Sequence, residues 1–188
     1  MWFSDKIEIL EKPLGIPYSR DDEGSHSYEN LRENPGALDL IPELRKARAL
    51  HEFVKDLNSH PSIFQSFGCE KWINFGYSHP RVPPEYSFHS GSYVDIAFAD
   101  LNACRSQQSL LELIDTYRLY GSKCIEHNMV QVMFNMRPTV NFHWGNWWTL
   151  EFWNYGLGRT EQEAEHWWAE GVRCFKQFLM ERSTVLVY

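Results

Sequence analysis

The sequence predicts an α+β fold: a mostly antiparallel sheet with helices on one face, built from a duplicated strand-strand-helix unit over about 71–126 and 127–183. Three observations lead there. Strand-like runs are grouped into hairpin-sized blocks, each followed by a helical pattern, in the order strand, arm, helix, hairpin, helix, hairpin, helix. The chain also repeats itself at a constant offset of 54 residues, Phe88-His89-Ser90-Gly91 falling onto Phe142-His143-Trp144-Gly145. Finally, 188 residues with 43% hydrophobic and 23% charged content suit a single domain over 1–188 with its own core, in which a strand and irregular arm (1–37) precede the helix and the two units.

Residues 6–11 alternate polar and apolar and read as a short strand. From Lys12 to Gly36 there is no periodicity, and the glycines, prolines and acidic Asp21-Asp22-Glu23 describe an irregular arm. A helix over 39–58 follows from Leu40, Leu44, Ala47, Leu50, Val54 and Leu57, with Asp39 placed to cap it and Pro42 tolerated in its first turn. Beyond His60-Pro61, residues 72–77 read as a strand, and 85–99 and 128–153 as strand-rich stretches. Gly91 and Gly145 lie inside strand patterns, where a bulge is the usual reading and a close approach the other. Thr160-Glu161-Gln162-Glu163 is a capping box that starts the last helix, whose apolar side is Ala164, Trp167, Trp168, Gly171, Val172, Phe175 and Leu179. Leu110, Leu113, Ile114 and Tyr117 form the matching side in the first unit. Between 84–120 and 138–174, seven of 37 positions are identical, including a Gly, an Arg and a Gln that aromatic enrichment alone does not align.

Period-2 alternation sorts the strand side chains onto two faces. Val94, Ile96, Phe98, Val130, Val132, Phe134, Met136, Val140, Phe142, Trp148, Leu150 and Phe152 make an apolar face for the helices. Opposite them fall His89, Tyr93, Asp95, Asn135, Arg137, Asn141, His143, Trp147, Glu151 and Trp153, a mixture of charge, amide and large ring. This second face is where a site is expected, with Tyr93, Trp147, Trp153, Arg137, Asn135 and Asn141 as contact residues. His89 and His143, at equivalent places in the two units, are the candidate acid/base groups or weak metal ligands, with Asp95 and Glu151 to orient them. One His per half resembles in outline the two-histidine phosphoesterases. That family carries Ser or Thr two residues after the His, where this chain has Gly91 and Gly145, so the resemblance is not adopted.

Composition narrows the partners. A formal charge of −7 gives no basic field for nucleic acid or anionic membrane. No signal-like apolar stretch opens the chain and no run reaches membrane-spanning length, so a cytoplasmic, unexported protein is expected. The four cysteines lie 35, 20 and 50 residues apart without a CxxC and read as reduced thiols. Asn154-Tyr155-Gly156-Leu157-Gly158 lacks the third glycine of a dinucleotide fingerprint, and Glu161 and Glu163 repel phosphate there. No cofactor is implied, and no HExxH, GxSxG, Walker or EF-hand pattern names a reaction. The expectation is a non-catalytic binding protein of inhibitor, immunity or accessory type, recognising a protein partner through the mixed face. The alternative is a small-molecule enzyme or sensor with His89 and His143 in a pocket on that face. A symmetric homodimer burying the same rings is a third arrangement.

Overall fold

The structure, a computed structural model, describes residues 1–12, 30–76, 80, 82–125, 129–141 and 145–185, with only the backbone at Asp5, Val140, Asn141 and Val185. Five strands, β1 (Trp2–Ile9), β2 (Phe64–Phe75), β3 (Phe88–Phe98), β4 (Val130–Asn141) and β5 (Gly145–Gly158), form one sheet in the order β1-β4-β5-β3-β2. β1 runs parallel to β4, and every other pairing is antiparallel. Helices α1 (Pro42–Arg45), α2 (Arg48–Asn58), α3 (Gln108–Cys124) and α4 (Glu161–Val185), with short 3-10 segments, make up the rest of the regular structure among the described residues. The predicted α+β class with a mostly antiparallel sheet and helices packed on it is observed.

The helices bury the face that alternation assigned to them. Phe152 of β5 stacks on Phe175 of α4 with centroids 3.9 Å apart, and Phe53 of α2 meets both rings edge-on. Tyr117 of α3 packs on Phe3, Phe134 and Phe175, which carries the same core out to β1 and β4. Leu110, Leu113 and Ile114 are buried beside it, as are Val94, Ile96, Val132 and Leu150. Asn154 turns its amide into the helical layer, donating to the carbonyl of Trp168 at 2.8 Å. That bond replaces the one its buried amide would otherwise lose to water.

Several local expectations are corrected. The helix predicted over 39–58 is interrupted: a 3-10 segment covers Pro35–Leu40, α1 is a single turn, and α2 begins only after Ala47, whose backbone leaves the helical region. Asp39 caps nothing; its carboxylate lies 3.1 Å from His51 and its carbonyl accepts from Arg45. β2 begins eight residues before the predicted Trp72. There is no bulge at Gly91, because the β2–β3 and β3–β5 registers run through it unbroken, and the irregularity lies instead between Ser66 and Gly68. The capping box is half formed: the Glu163 amide donates to Thr160 Oγ1, but the Glu163 carboxylate takes the backbone N–H of Arg159.

The order strand-strand-helix occurs twice, with β3 and β5 as antiparallel neighbours. Duplication of one ancestral sequence is not confirmed by it. Phe98 and Phe152, 54 positions apart, pair with Phe64 and Phe134, which are 70 apart, so the offset holds for the second strand of each hairpin and not for the first.

Candidate functional site

On the face away from the helices, the registers define rows that cross the sheet. One row is Gln131, Tyr155, Gly91 and Trp72; the next is Met133, Trp153, Tyr93 and Glu70; the third is Glu8, Asn135, Glu151, Asp95 and Gly68. The middle of the third row is shielded, with Asn135 buried, Asp95 2% and Glu151 1% exposed, while Glu8 at its end is exposed. The rings of the first two rows are half-buried and Glu70 is exposed. Beyond the acids, Thr139 and Thr149 share a hydrogen bond of 3.0 Å beneath the surface.

Glu151 is the organising group. It forms an ion pair with Arg137, accepts from Asn135 Nδ2 at 3.0 Å and accepts from Trp153 Nε1 at 3.1 Å. Three donors on a buried carboxylate satisfy the charge that burial would otherwise penalise. Trp153 is thereby anchored by its polar edge while its ring stays on the surface. Asp95, directly across the ladder from Glu151, has no such set: its Oδ1 finds no hydrogen-bond partner among the described residues. Burial pushes its carboxyl up to about 7, against a smaller opposing pull from Arg137. The Tyr93 phenol beside it is pushed up to about 12, first by burial and then by Asp95 and Glu70.

The rings above these acids touch one another. Tyr93 and Trp153 have centroids 5.0 Å apart and planes 34° apart, while Trp153 and Tyr155 are 6.4 Å and 17° apart. Trp72 stands more steeply against Trp153 and Tyr155, at 61° and 68°. Its indole lies over Gly91, where a Cβ would come within 2.7 Å of the ring. The Asp95 carboxylate occupies the same kind of space over Gly68, where a Cβ would again meet it at 2.7 Å. Both glycines therefore serve as clearance for the side chain paired opposite or beside them, which is the close-approach reading of a strand glycine.

The expected site residues fare differently. Tyr93, Trp153, Arg137, Asn135, Asp95 and Glu151 converge as described. Trp147, expected as a surface contact, is 3% exposed and packs against Phe67, centroids 6.0 Å apart. Phe67 reaches it because the register shift between Ser66 and Gly68 releases that residue from the ladder. His89 is not brought to the acids: it pairs with Leu157, six residues along β3 from Asp95, a separation of roughly 20 Å at strand rise. Its ring meets Tyr155 at 5.9 Å and Asn74 at 3.4 Å, and burial holds its imidazole below the ordinary value. His143 and Phe142 lie outside the described residues, and the side chain of Asn141 is not described. Trp72, Tyr155 and Glu70 join the site without being among the expected residues. Alternation along Trp72-Ile73-Asn74, and continuation of the last strand through Tyr155, is the sequence signal that points to them.

No family model, curated protein or solved structure matches this chain. Among the described residues no three or more His, Cys, Asp or Glu side chains come together to hold a metal ion. None of the described helices is long and apolar enough to cross a membrane.

Proposed function

We propose that the protein is a non-catalytic binding module, cytoplasmic and of inhibitor, immunity or accessory type, that holds a protein partner on the ring-bearing rows of its sheet. The carrying observation is the contiguous cluster of Trp72, Tyr93, Trp153 and Tyr155, half-buried and fixed from beneath. Rings already held by neighbours and by the Glu151 hydrogen bond lose little freedom on binding, and Trp and Tyr dominate interface energetics for that reason. The −7 charge favours fast encounter with a basic partner. The test compares retention of a protein partner from the native host by wild type and by Trp72→Ala and Trp153→Ala variants with unchanged circular dichroism. Loss of a central ring should weaken the complex by about 2 kcal/mol, or ~30-fold. Retention that is unaffected by both substitutions would sink the reading.

Asp95 supports a second reading, in which the face belongs to a small-molecule enzyme or sensor. A carboxyl that changes charge at about pH 7 is suited to proton transfer. It stands on Asp95 rather than on a His89–His143 pair, and a bound small molecule whose release accompanies Asp95→Asn would support it over a protein partner.

A further inference from the structure

Resting on the binding-module reading, we propose that the partner seats an arginine side chain on Tyr93, Trp153 and Tyr155, with its guanidinium paired to Glu70 at the edge of the rings. Three features of the face select that group. First, Tyr93, Trp153 and Tyr155 form a run of near-parallel rings, 34° and 17° from neighbour to neighbour, so a planar cation can extend that stack, whereas Trp72 closes one side at a steep angle. Guanidinium is flat and weakly hydrated and stacks on aromatic faces better than a compact ammonium does. Second, Glu70 is the register partner of Tyr93, is exposed, and meets no cation among the described residues. Third, the cation in the middle of the face, Arg137, is already committed to Glu151. The negative charge of Glu70 is thus left for a group that arrives from outside.

Asp95 makes the affinity depend on pH. The charged and titratable groups on its side of the sheet are Glu70 on β2, Tyr93 on its own strand, Glu151 on β5 and Arg137 on β4. Of these, Arg137 is spent and the others add no positive charge. A guanidinium stacked one row away favours the ionised carboxylate, so affinity rises as Asp95 loses its proton around pH 7. His89 stands six residues along β3 from Asp95, and burial pushes its imidazole down from the ordinary value.

The experiment is calorimetric titration of the full chain with a hexa-arginine peptide, its hexa-citrulline counterpart and hexa-lysine at constant ionic strength. Citrulline keeps the planar shape and loses the charge. Arginine should bind at least about 10-fold more tightly than citrulline and more tightly than lysine. Glu70→Gln should weaken arginine binding about 5-fold, while Glu112→Gln on the remote exposed face of α3 should leave it unchanged. Between pH 6 and 8 the affinity should rise severalfold in wild type and stay level in Asp95→Asn. Equal binding of arginine and citrulline, or equal effects of the Glu70 and Glu112 substitutions, overturns the proposal. If partner retention still depends on Trp72 and Trp153, the arginine assignment alone falls; if it does not, the binding-module reading falls with it.

Discussion

Replacing Asp95 by Asn isolates the cost of keeping a carboxyl beneath the aromatic rows. In the unfolded chain this group titrates at its ordinary 3.8, and in the folded protein at about 7. The folded state therefore holds the extra proton between those values, so stability falls as pH rises from about 4 and levels off above about 7. A difference of about 3 units at about 1.4 kcal/mol each is about 4 kcal/mol, an upper figure because local rearrangement and water penetration soften it. Asn matches the shape that fits over Gly68 and cannot ionise. Asp95→Asn should accordingly be more stable than wild type at pH 8 by up to about 4 kcal/mol, and within about 1 kcal/mol of it at pH 4. Urea unfolding followed by tryptophan fluorescence at both pH values measures this, with the slope against urea checked for constancy. Taking the difference between the two proteins cancels the titration of every other carboxylate. A stability gap that is the same at both pH values, or that grows in favour of wild type as pH rises, refutes the assignment of a costly buried carboxyl.

The remaining expectations concern the floor and the clearance that hold the rings. Glu151→Gln should destabilise the fold by about 3–5 kcal/mol, because it leaves Arg137 half-buried without its counter-charge; a Glu151→Leu, Arg137→Met double variant should recover much of that loss in the same urea assay. Gly91→Ala should displace the Trp72 indole, since the new methyl would lie 2.7 Å from it; a shifted tryptophan emission with a loss of about 1–3 kcal/mol is expected, and an unchanged spectrum would contradict the packing described.

Much of the fold is legible because strand period is 2 and the core face is continuous. Alternation alone assigns Val94, Ile96, Leu150 and Phe152 to the helices, and Tyr93, Asp95, Glu151 and Trp153 to the other side, since no bulge intervenes between them. Where both faces are buried, alternation vanishes: Phe64-Gln65-Ser66-Phe67 offers no polar side, which hides the start of β2 and with it the shift that buries Trp147. The break before α2 is hidden for a related reason. Leu44, Ala47 and Leu50 are all buried, so the apolar spacing continues through a backbone that leaves the helical region at Ala47. Row membership, which places Trp72 and Glu70 beside residues of β3, depends on register between distant strands and has no local signature.

The two glycines of the face show how an antiparallel ladder builds a surface of large side chains without separating its strands. Trp72 pairs with Gly91 and Asp95 pairs with Gly68, so β2 and β3 each supply one large or charged group and one empty position opposite the other's. Directly opposed Cβ atoms on one face lie about 5 Å apart, too close for an indole to lie flat across a neighbour that carries its own side chain. Removing that neighbour's Cβ lets the Trp72 ring settle over the β3 backbone and reach Tyr93, Trp153 and Tyr155. The same device lets the Asp95 carboxyl lean over β2, away from the donors that Glu151 has taken. The contrast between a satisfied and an unsatisfied carboxyl in one row thus follows from where the glycines fall, and it leaves beside the half-buried rings a group that gains its negative charge only at about pH 7.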